Sequence, residues 1–325
     1  MRTLVTGGTG FIGSEVVRQL LNAGDAVRIF SRRKDTTALF SGNVEVAPGD
    51  LGHAQSFIDA LDDIDVLYHI GEIKNTSIAA SEKNVRLVEE TLRHINAKKV
   101  TRIVFVSSIT VSGIPSTMPA DEDTAPRIIL SDHYTDCKRR SENLLIGNAG
   151  RVECAIIRPA PVYGPGSRSL GRLIEVLDRF GPVGIPFPGN AENLAPLIHV
   201  SDLAQAIVRA GREPAAAGQI FNVTDGLRHS WREFLGAITE RLGKKLRILP
   251  LPRLILHLAA LPVDLVSGFL GISLDPVSYV TYFSEDLFFD NSRAKRLLNW
   301  EPRYSLSEGV KEMTEFYLAE RFTDL

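Results

Sequence analysis

The chain has 325 residues and a formal net charge of -2. That length buries a large core and suits a main domain with a smaller appendage, while the balanced charge excludes nucleic acid as a partner and argues against an electrostatic membrane anchor. Two cysteines, Cys137 and Cys154, give neither a disulfide framework nor metal-ligand spacing, so no metal is expected and a reducing, cytoplasmic interior is the natural compartment.

Residues 2–6 predict a short buried strand rather than a secretory leader. The turn Gly7-Gly8-Thr-Gly10-Phe11-Ile12-Gly13 follows, and a helix runs over Phe11 to Asn22 with Gly24 closing it. Further strands are predicted at Ala26 to Phe30, Val44 to Pro48, Val66 to Ile70, Arg102 to Ser107 and Glu153 to Arg158. Helices are predicted over Ser77 to Asn96 and Tyr134 to Ile146. Strands alternating with helices imply parallel crossovers, hence an α/β fold with a Rossmann-type doubly wound parallel sheet. Proline and glycine cluster between Pro159 and Gly189, where short helices should interrupt loops. The expected division is a dinucleotide-binding domain over 1–158, with interleaved segments around 197–224, and a smaller substrate-binding lobe over most of 159–325.

Gly7, Gly10 and Gly13 follow a strand and open a helix, which suits a dinucleotide pyrophosphate. Glycine lets the backbone approach phosphate, and the helix N-terminus offers free N–H groups. Gly7, Gly10, Phe11, Ile12 and Gly13 are therefore candidate cofactor contacts. A carboxylate at the end of the second strand would bind the ribose hydroxyls of NAD. This chain has Ser31-Arg32-Arg33-Lys34 there and no acid before Asp35, which favours the 2′-phosphate of NADP over NAD. Asp50 and Leu51, after the third strand, are expected beside the adenine.

Tyr134 and Lys138 stand four residues apart, on one helix face. A free phenol titrates too high for a base at neutral pH, and a nearby ammonium favours phenolate. Lowering it by two units needs about 2.7 kcal/mol, within reach of a close charge in a dry cleft. Lys138 also suits the nicotinamide ribose. Ser107 and Ser108 close the fifth strand, at the sheet edge that faces ligand crevices; Ser108 is the expected catalytic hydroxyl and Ser107 a structural one.

With these residues in place, the chain resembles the extended short-chain dehydrogenase/reductase family, the NAD(P)-dependent epimerase/dehydratase group. The resemblance covers nearly the whole chain. It rests on Thr6 to Gly13, His69 with Gly71, Asn84, Val106-Ser-Ser-Ile-Thr-Val-Ser-Gly113, and Tyr134 with Lys138. Arg158-Pro-Ala-Pro-Val-Tyr-Gly-Pro-Gly166, His199-Val-Ser-Asp202 and Asp290 to Arg303 complete it. It implies Ser108, Tyr134 and Lys138 as a catalytic triad, with Tyr134 exchanging the proton and C4 of nicotinamide the hydride. It also implies a homodimer through the helices at Ser77 to Asn96 and Tyr134 to Ile146.

The departures bear on substrate. Dehydratase members carry an acidic pair where this chain has Ile109 and Thr110. Sugar-nucleotide epimerases carry phosphate-binding residues where this chain has Pro161 and Ala195, and 272–289 contains no Arg or Lys; Arg168 or Arg172 are the possible substitutes. Leu246 to Leu274 is rich in Leu, Ile and Val and similar to the steroid and sterol dehydrogenase branch. Broken by Pro262 and Asp264, it is too short on either side to span a bilayer. Its bland reading is a buried helix pair; its sharper readings are a lid over an apolar pocket or a peripheral membrane contact. Glu72 and Lys74 are candidate substrate contacts, His53, His94, His229 and His257 read as surface or packing residues, and Trp231 and Trp300 as core anchors. The expected activity is hydride transfer between a nicotinamide cofactor and a secondary alcohol or ketone of an apolar small molecule, with a sugar-nucleotide epimerase as the alternative.

Overall fold

The computed structural model describes residues 1–325 except 34–38, 41–43, 74–77, 131, 270–275 and 324–325. Lys34, Asp35 and Lys74 therefore lie outside the described residues. The first half contains β1 (Arg2–Thr6), α1 (Phe11–Asn22), β2 (Ala26–Ser31), β3 (Glu45–Pro48), α2 (Ala54–Asp59), β4 (Val66–His69), α3 (Ile78–His94) and β5 (Arg102–Val106). The short β6 (Ile114–Pro115) and β7 (Pro126–Ile128) form a ribbon, and α4 (His133–Gly147) and β8 (Glu153–Pro159) follow.

The central sheet is parallel and seven-stranded, in the order β3-β2-β1-β4-β5-β8 and then a last strand, β13 (Gln219–Val223). The inner strands β1, β4, β5 and β8 bury both faces, while the edge strand β3 is partly exposed. Alternation sends Leu4, Ile103 and Ile156 to the side covered by α3, and Val5, Val104 and Ile157 to the side covered by α1. The order reverses between β1 and β4, and ligands bind at such a switch point, beyond the carboxyl ends of the strands.

After β8 come β9 (Val162–Tyr163), α5 (Arg168–Phe180), β10 (Ile185–Pro188), β11 (Leu194–Ala195), β12 (Ile198–His199) and α6 (Val200–Ala210). Beyond β13 lie β14 (His229–Ser230), α7 (Trp231–Arg241), β15 (Ile248–Leu251), α8 (Arg253–Phe269), α9 (Pro276–Ser284), α10 (Ser292–Leu298) and α11 (Leu306–Thr323). A separate core, including Ile174, Leu177, Phe187 and Phe234, holds α5, α7 and β10 together. The chain re-enters the sheet's own core twice. First α6 packs on α1 and β13 joins β8; later Trp300 is buried there, its indole donating to the Asp202 carbonyl at 3.0 Å. The Asp202 carboxylate, within α6, accepts the backbone N–H groups of Arg303 and Tyr304, each at 3.0 Å.

Two features depart from the sequence expectation. The region of Pro159 to Gly189 holds a thirteen-residue helix, α5, whose N-cap Ser167 accepts the Leu170 N–H; one good cap outweighs the flanking glycine and proline. Pro262 does not break the apolar stretch but lies inside α8. Leu254, Ile255, Leu258 and Leu261 of α8 are exposed, so the buried-helix-pair reading fails for this helix, which packs mainly on α9 alone. No described helix is long and apolar enough to cross a membrane.

Candidate active site

The glycine turn is built from close backbone approaches. A Cβ on Gly13 would lie 2.1 Å from the Gly7 carbonyl oxygen, and one on Gly71 would lie 2.6 Å from the Gly7 nitrogen. The Thr6 hydroxyl oxygen accepts the N–H groups of Ile70 (3.0 Å) and Gly71 (2.9 Å), locking the ends of β1 and β4 together. His69 sits 3.1 Å from the same hydroxyl; burial, helped by the Lys138 charge, pushes its pKa down to about 3, so the ring is neutral. Gly10 caps α1 with no side-chain hydrogen bond, and no acid stands in the first turn. This bare helix N-terminus over a cradle that any Cβ would fill fits a dinucleotide pyrophosphate.

A cavity of about 460 Å³ opens beside the turn. Gly7, Gly10, Phe11, Ile12 and Gly13 line one side, and Ser108, Tyr134 and Lys138 another. Ser31, Arg32, Asp50 and Leu51 do not line it. They lie at the ends of β2 and β3, farther along the sheet, where the Gly49 N–H donates to the Ser31 carbonyl at 3.0 Å. The Ser31 hydroxyl oxygen accepts the Arg33 N–H (3.0 Å), and the exposed Arg32 guanidinium stands 4.0 Å from the Asp50 carboxylate.

Lys138 is buried one helical turn beyond Tyr134. Its ammonium donates to the Val106 carbonyl (2.7 Å), pairs with the Glu72 carboxylate and lies 5.8 Å from the Tyr134 ring centre. Burial opposes the lysine's charge, but Glu72 and Tyr134 together outweigh it and the lysine pKa rises. The lysine does not leave Tyr134 acidic, as its spacing predicts. Burial pushes the phenol up to about 12; Lys138 pulls it down, but Glu72 opposes that pull. Tyr134 keeps 42 % of its surface open, which moderates the rise without reversing it. Burial is the main reason the expectation fails, and Glu72, just past β4 and paired with Lys138 of α4, adds to it.

Ser108 contributes a hydrogen bond to Tyr134. Its oxygen accepts from the Thr110 hydroxyl (2.9 Å), which in turn accepts from the Thr135 hydroxyl (3.0 Å). The chain of donors leaves the Ser108 proton to be donated on the Tyr134 side, toward the cavity. Thr110 occupies one of the positions where an acidic pair is lacking, and this supporting role was not visible from spacing.

Ser107 also lines the cavity, but its hydroxyl is engaged behind it. Its hydroxyl donates to Glu142 at 2.5 Å. The Arg158 guanidinium grips the same carboxylate through two bonds, at 3.0 and 2.6 Å. All three side chains are buried. The pair ties α4, which carries Tyr134 and Lys138, to the ends of β5 and β8.

The remaining wall comes from α9, through Ser278, Tyr279, Tyr282 and Phe283. Sequence reasoning noted only the lack of cations here; the signal it missed is the helical spacing of the three aromatics. Among the described lining residues the charged groups are Glu72, Asp132 and Lys138. Pro161 lines the cavity; Ala195 is buried elsewhere on β11, and Arg168 and Arg172 are exposed on α5 outside the lining. Cys137 donates to the Ser81 carbonyl at 3.3 Å, and burial pushes its thiol up to about 11, which suits packing. Two histidines without a pattern in sequence have partners in space. His229 lies 3.3 Å from the Asp225 carboxylate, and His257 lies 3.1 Å from the Thr281 hydroxyl.

A family model described as the NAD dependent epimerase/dehydratase family matches residues 3–224. A UDP-glucose 4-epimerase of Vibrio cholerae is 28% identical, the match covering 97% of this chain and 95% of that protein. A 3 beta-hydroxysteroid dehydrogenase/Delta 5-->4-isomerase of Mycobacterium tuberculosis is 27% identical over 98% of this chain and 90% of its own. The solved UDP-glucose 4-epimerase of Thermotoga maritima with UDP-glucose superposes with a TM-score of 0.76, at 20% identity and covering 99% of this chain and 100% of that one. At that identity the superposition speaks for the fold alone.

The buried pair generates a stability test. Arg158→Met leaves the Glu142 carboxylate buried without its partner, and breaking such pairs costs about 3–5 kcal/mol. Chemical denaturation should show a loss of that size, accompanied by weaker ordering of α4; a change within about 0.5 kcal/mol, the range of an ordinary surface substitution, would show that the pair does not hold the helix.

Proposed function

The chain belongs to the NAD dependent epimerase/dehydratase family, and within it we propose that it acts as an NAD(P)-dependent oxidoreductase on a secondary alcohol or ketone of an apolar substrate. The observation that carries this reading is the charge of the cavity. Its one described cation, Lys138, is already paired with Glu72, and Asp132 adds a second carboxylate. A nucleoside diphosphate entering there would meet repulsion and no free cation, whereas the aromatic face of α9 suits an apolar body. The similarity to a steroid dehydrogenase supports the same choice. A sugar-nucleotide epimerase is the second reading, favoured by the comparable likeness to the Vibrio protein.

The Gly7 to Gly13 turn and the N-terminus of α1 hold the pyrophosphate, with Phe11 and Ile12 against the dinucleotide. When bound, the nicotinamide supplies the hydride donor or acceptor. The Tyr134 hydroxyl gives its proton to the carbonyl oxygen during reduction and takes it back during oxidation. A phenol near 12 stays protonated at neutral pH, which readies the site for reduction. Ser108 donates a hydrogen bond to the same oxygen, and Lys138 serves the ribose hydroxyls.

NADP is the preferred dinucleotide, because Ser31 and Arg32 stand where a carboxylate would select NAD; Asp50 and Leu51 flank the adenine. Residues 1–158, with the segment around 197–224, serve the dinucleotide, and most of 159–325 serves the substrate. The proposal extends to a homodimer through α3 and α4, to a reducing compartment such as the cytoplasm, and to peripheral membrane contact through the exposed leucines of α8.

Three outcomes are expected. Tyr134→Phe should lower turnover about 100- to 10,000-fold with little change in cofactor affinity, read by steady-state kinetics on a verified substrate and by cofactor titration; near-full activity would remove Tyr134 from the chemistry. Ser31→Asp should swing binding from NADP toward NAD in calorimetric titrations; tighter NAD binding by the unaltered protein would recast Arg32 as surface. In a thermal-shift panel with the cofactor-loaded protein, apolar carbonyl compounds should raise the melting temperature and uridine diphosphate alone should not. The opposite pattern would establish the epimerase reading.

A further inference from the structure

Glu72 lines the main cavity, and the reaction described above gives it no task of its own. Its carboxylate pairs with the buried Lys138 ammonium, which lines the same cavity. The backbone is pinned on either side of it. Before it, the Ile70 and Gly71 N–H groups donate to the Thr6 hydroxyl oxygen at 3.0 and 2.9 Å. After it, the Ile73 N–H donates to the Asn84 side chain of α3 at 2.8 Å. The Glu72 side chain is therefore delivered from a fixed point. It keeps 25 % of its surface open, against 6 % for Lys138, so a ligand in the cavity can reach it.

The neighbouring glycine fixes where that point lies. A Cβ on Gly71 would come within 2.6 Å of the Gly7 nitrogen, so Glu72 stands one residue from the turn that fits the pyrophosphate. In a dinucleotide each ribose is joined directly to the pyrophosphate. A nicotinamide that runs from the Gly7 to Gly13 turn toward Tyr134 carries its ribose past Glu72 and Lys138, which line the wall between them.

Donor accounting then separates the two side chains. An ammonium has three N–H donors and no acceptor. Lys138 directs one donor to the Val106 carbonyl, at 2.7 Å, and one to Glu72, which leaves one for a ligand. A ribose diol presents two hydroxyls that donate as well as accept. One ammonium donor can meet one hydroxyl oxygen and neither hydroxyl proton. A carboxylate accepts at about four lone-pair sites, so Glu72 has acceptor capacity beyond its bond to the lysine. Carboxylates hold the adenosine ribose of NAD by the same complementarity.

We propose that Glu72 accepts a hydrogen bond from a hydroxyl of the nicotinamide ribose while Lys138 donates to the same diol, so that the ion pair grips the sugar from both sides of its hydrogen-bonding chemistry. This rests on the NAD(P) reading of the site and makes Glu72 a cofactor contact rather than a substrate contact. The rival account leaves Glu72 as the counter-ion of a buried lysine and nothing more. It would then compete with the ribose for Lys138 and repel the pyrophosphate. The two accounts predict opposite signs when the carboxylate is removed.

Calorimetric titration of the wild type, Glu72→Gln and Glu72→Ala decides between them, with three probes. The first is whichever of NADP and NAD the wild type binds more tightly. The second is its analogue without the two hydroxyls of the nicotinamide ribose, and the third is its adenosine diphosphate half alone. Glu72→Ala should weaken the intact dinucleotide about 10- to 100-fold, the range of one hydrogen bond to a charged group, and leave the other two probes within about twofold. Glu72→Gln keeps the size of the side chain and a neutral acceptor, so its loss should fall between wild type and Glu72→Ala. Intact dinucleotide bound as tightly or more tightly by Glu72→Ala would overturn the proposal and leave the counter-ion account. Equal weakening of all three probes would also overturn it, since that pattern reports a disturbed cradle. A wild type that binds neither dinucleotide removes the cofactor reading together with this inference, whereas tight binding that ignores Glu72 removes the inference alone. The readout needs no turnover.

Discussion

The buried pair between Glu142 and Arg158 sets the position of everything that faces the cavity from α4. Tyr134, Lys138 and Glu142 follow one another at four-residue intervals, so they form one stripe along the helix. Arg158 stands at the end of β8 and Ser107 just past β5, and both bind the Glu142 carboxylate. A turn of α4 by a single residue would carry the stripe about 100° away and strand two buried charges. Such pairs add little net stability over a packed apolar substitute, because desolvation offsets most of the attraction. Here the pair acts as a registry device, fixing the height and rotation of the helix against the sheet.

With the helix fixed, the electrostatics of the site follow from where Glu72 falls. The end of β4 delivers its carboxylate to the ammonium of Lys138. The lysine is thereby kept charged in a buried place, while Glu72 opposes its pull on the phenol. The cavity keeps a neutral phenol and a lysine paired with Glu72. It is a site with little field to offer a polyanion and a good fit for a body that brings no charge.

Much of this was legible in the sequence, and the reasons are local. The inner strands are dominated by apolar residues, as strands buried on both faces tend to be. The glycine turn is constrained by backbone contacts that no other residue permits, and the Tyr134 to Lys138 spacing is a property of one helix. What escaped reading depends on partners distant in the chain. Glu72 meets Lys138 only after β4 and α4 are placed. The apolar stretch of α8 left several readings open for a related reason, and only the buried pair fails. Composition reports that a helix is hydrophobic but not whether a partner exists to cover it, and here α9 covers part of it. Proline at 262 was taken for a break because it cannot donate to the helix ladder, yet the helix absorbs that lost bond.

The return of the chain to its first sheet has a consequence for how the protein is made. β8 ends at residue 159, but its outer neighbour β13 begins only at 219, and Trp300 seals the same core later still. During synthesis the outer edge of β8 therefore waits for its neighbour while the lobe's first helices are being added, on the order of several seconds at typical elongation rates. An unpaired parallel edge of buried-type sequence is a template for unwanted pairing with another nascent chain. The interleaving that unites the two lobes in the finished molecule thus makes its N-terminal half dependent on the last quarter of the chain, and places the greatest risk of aggregation before that quarter has emerged.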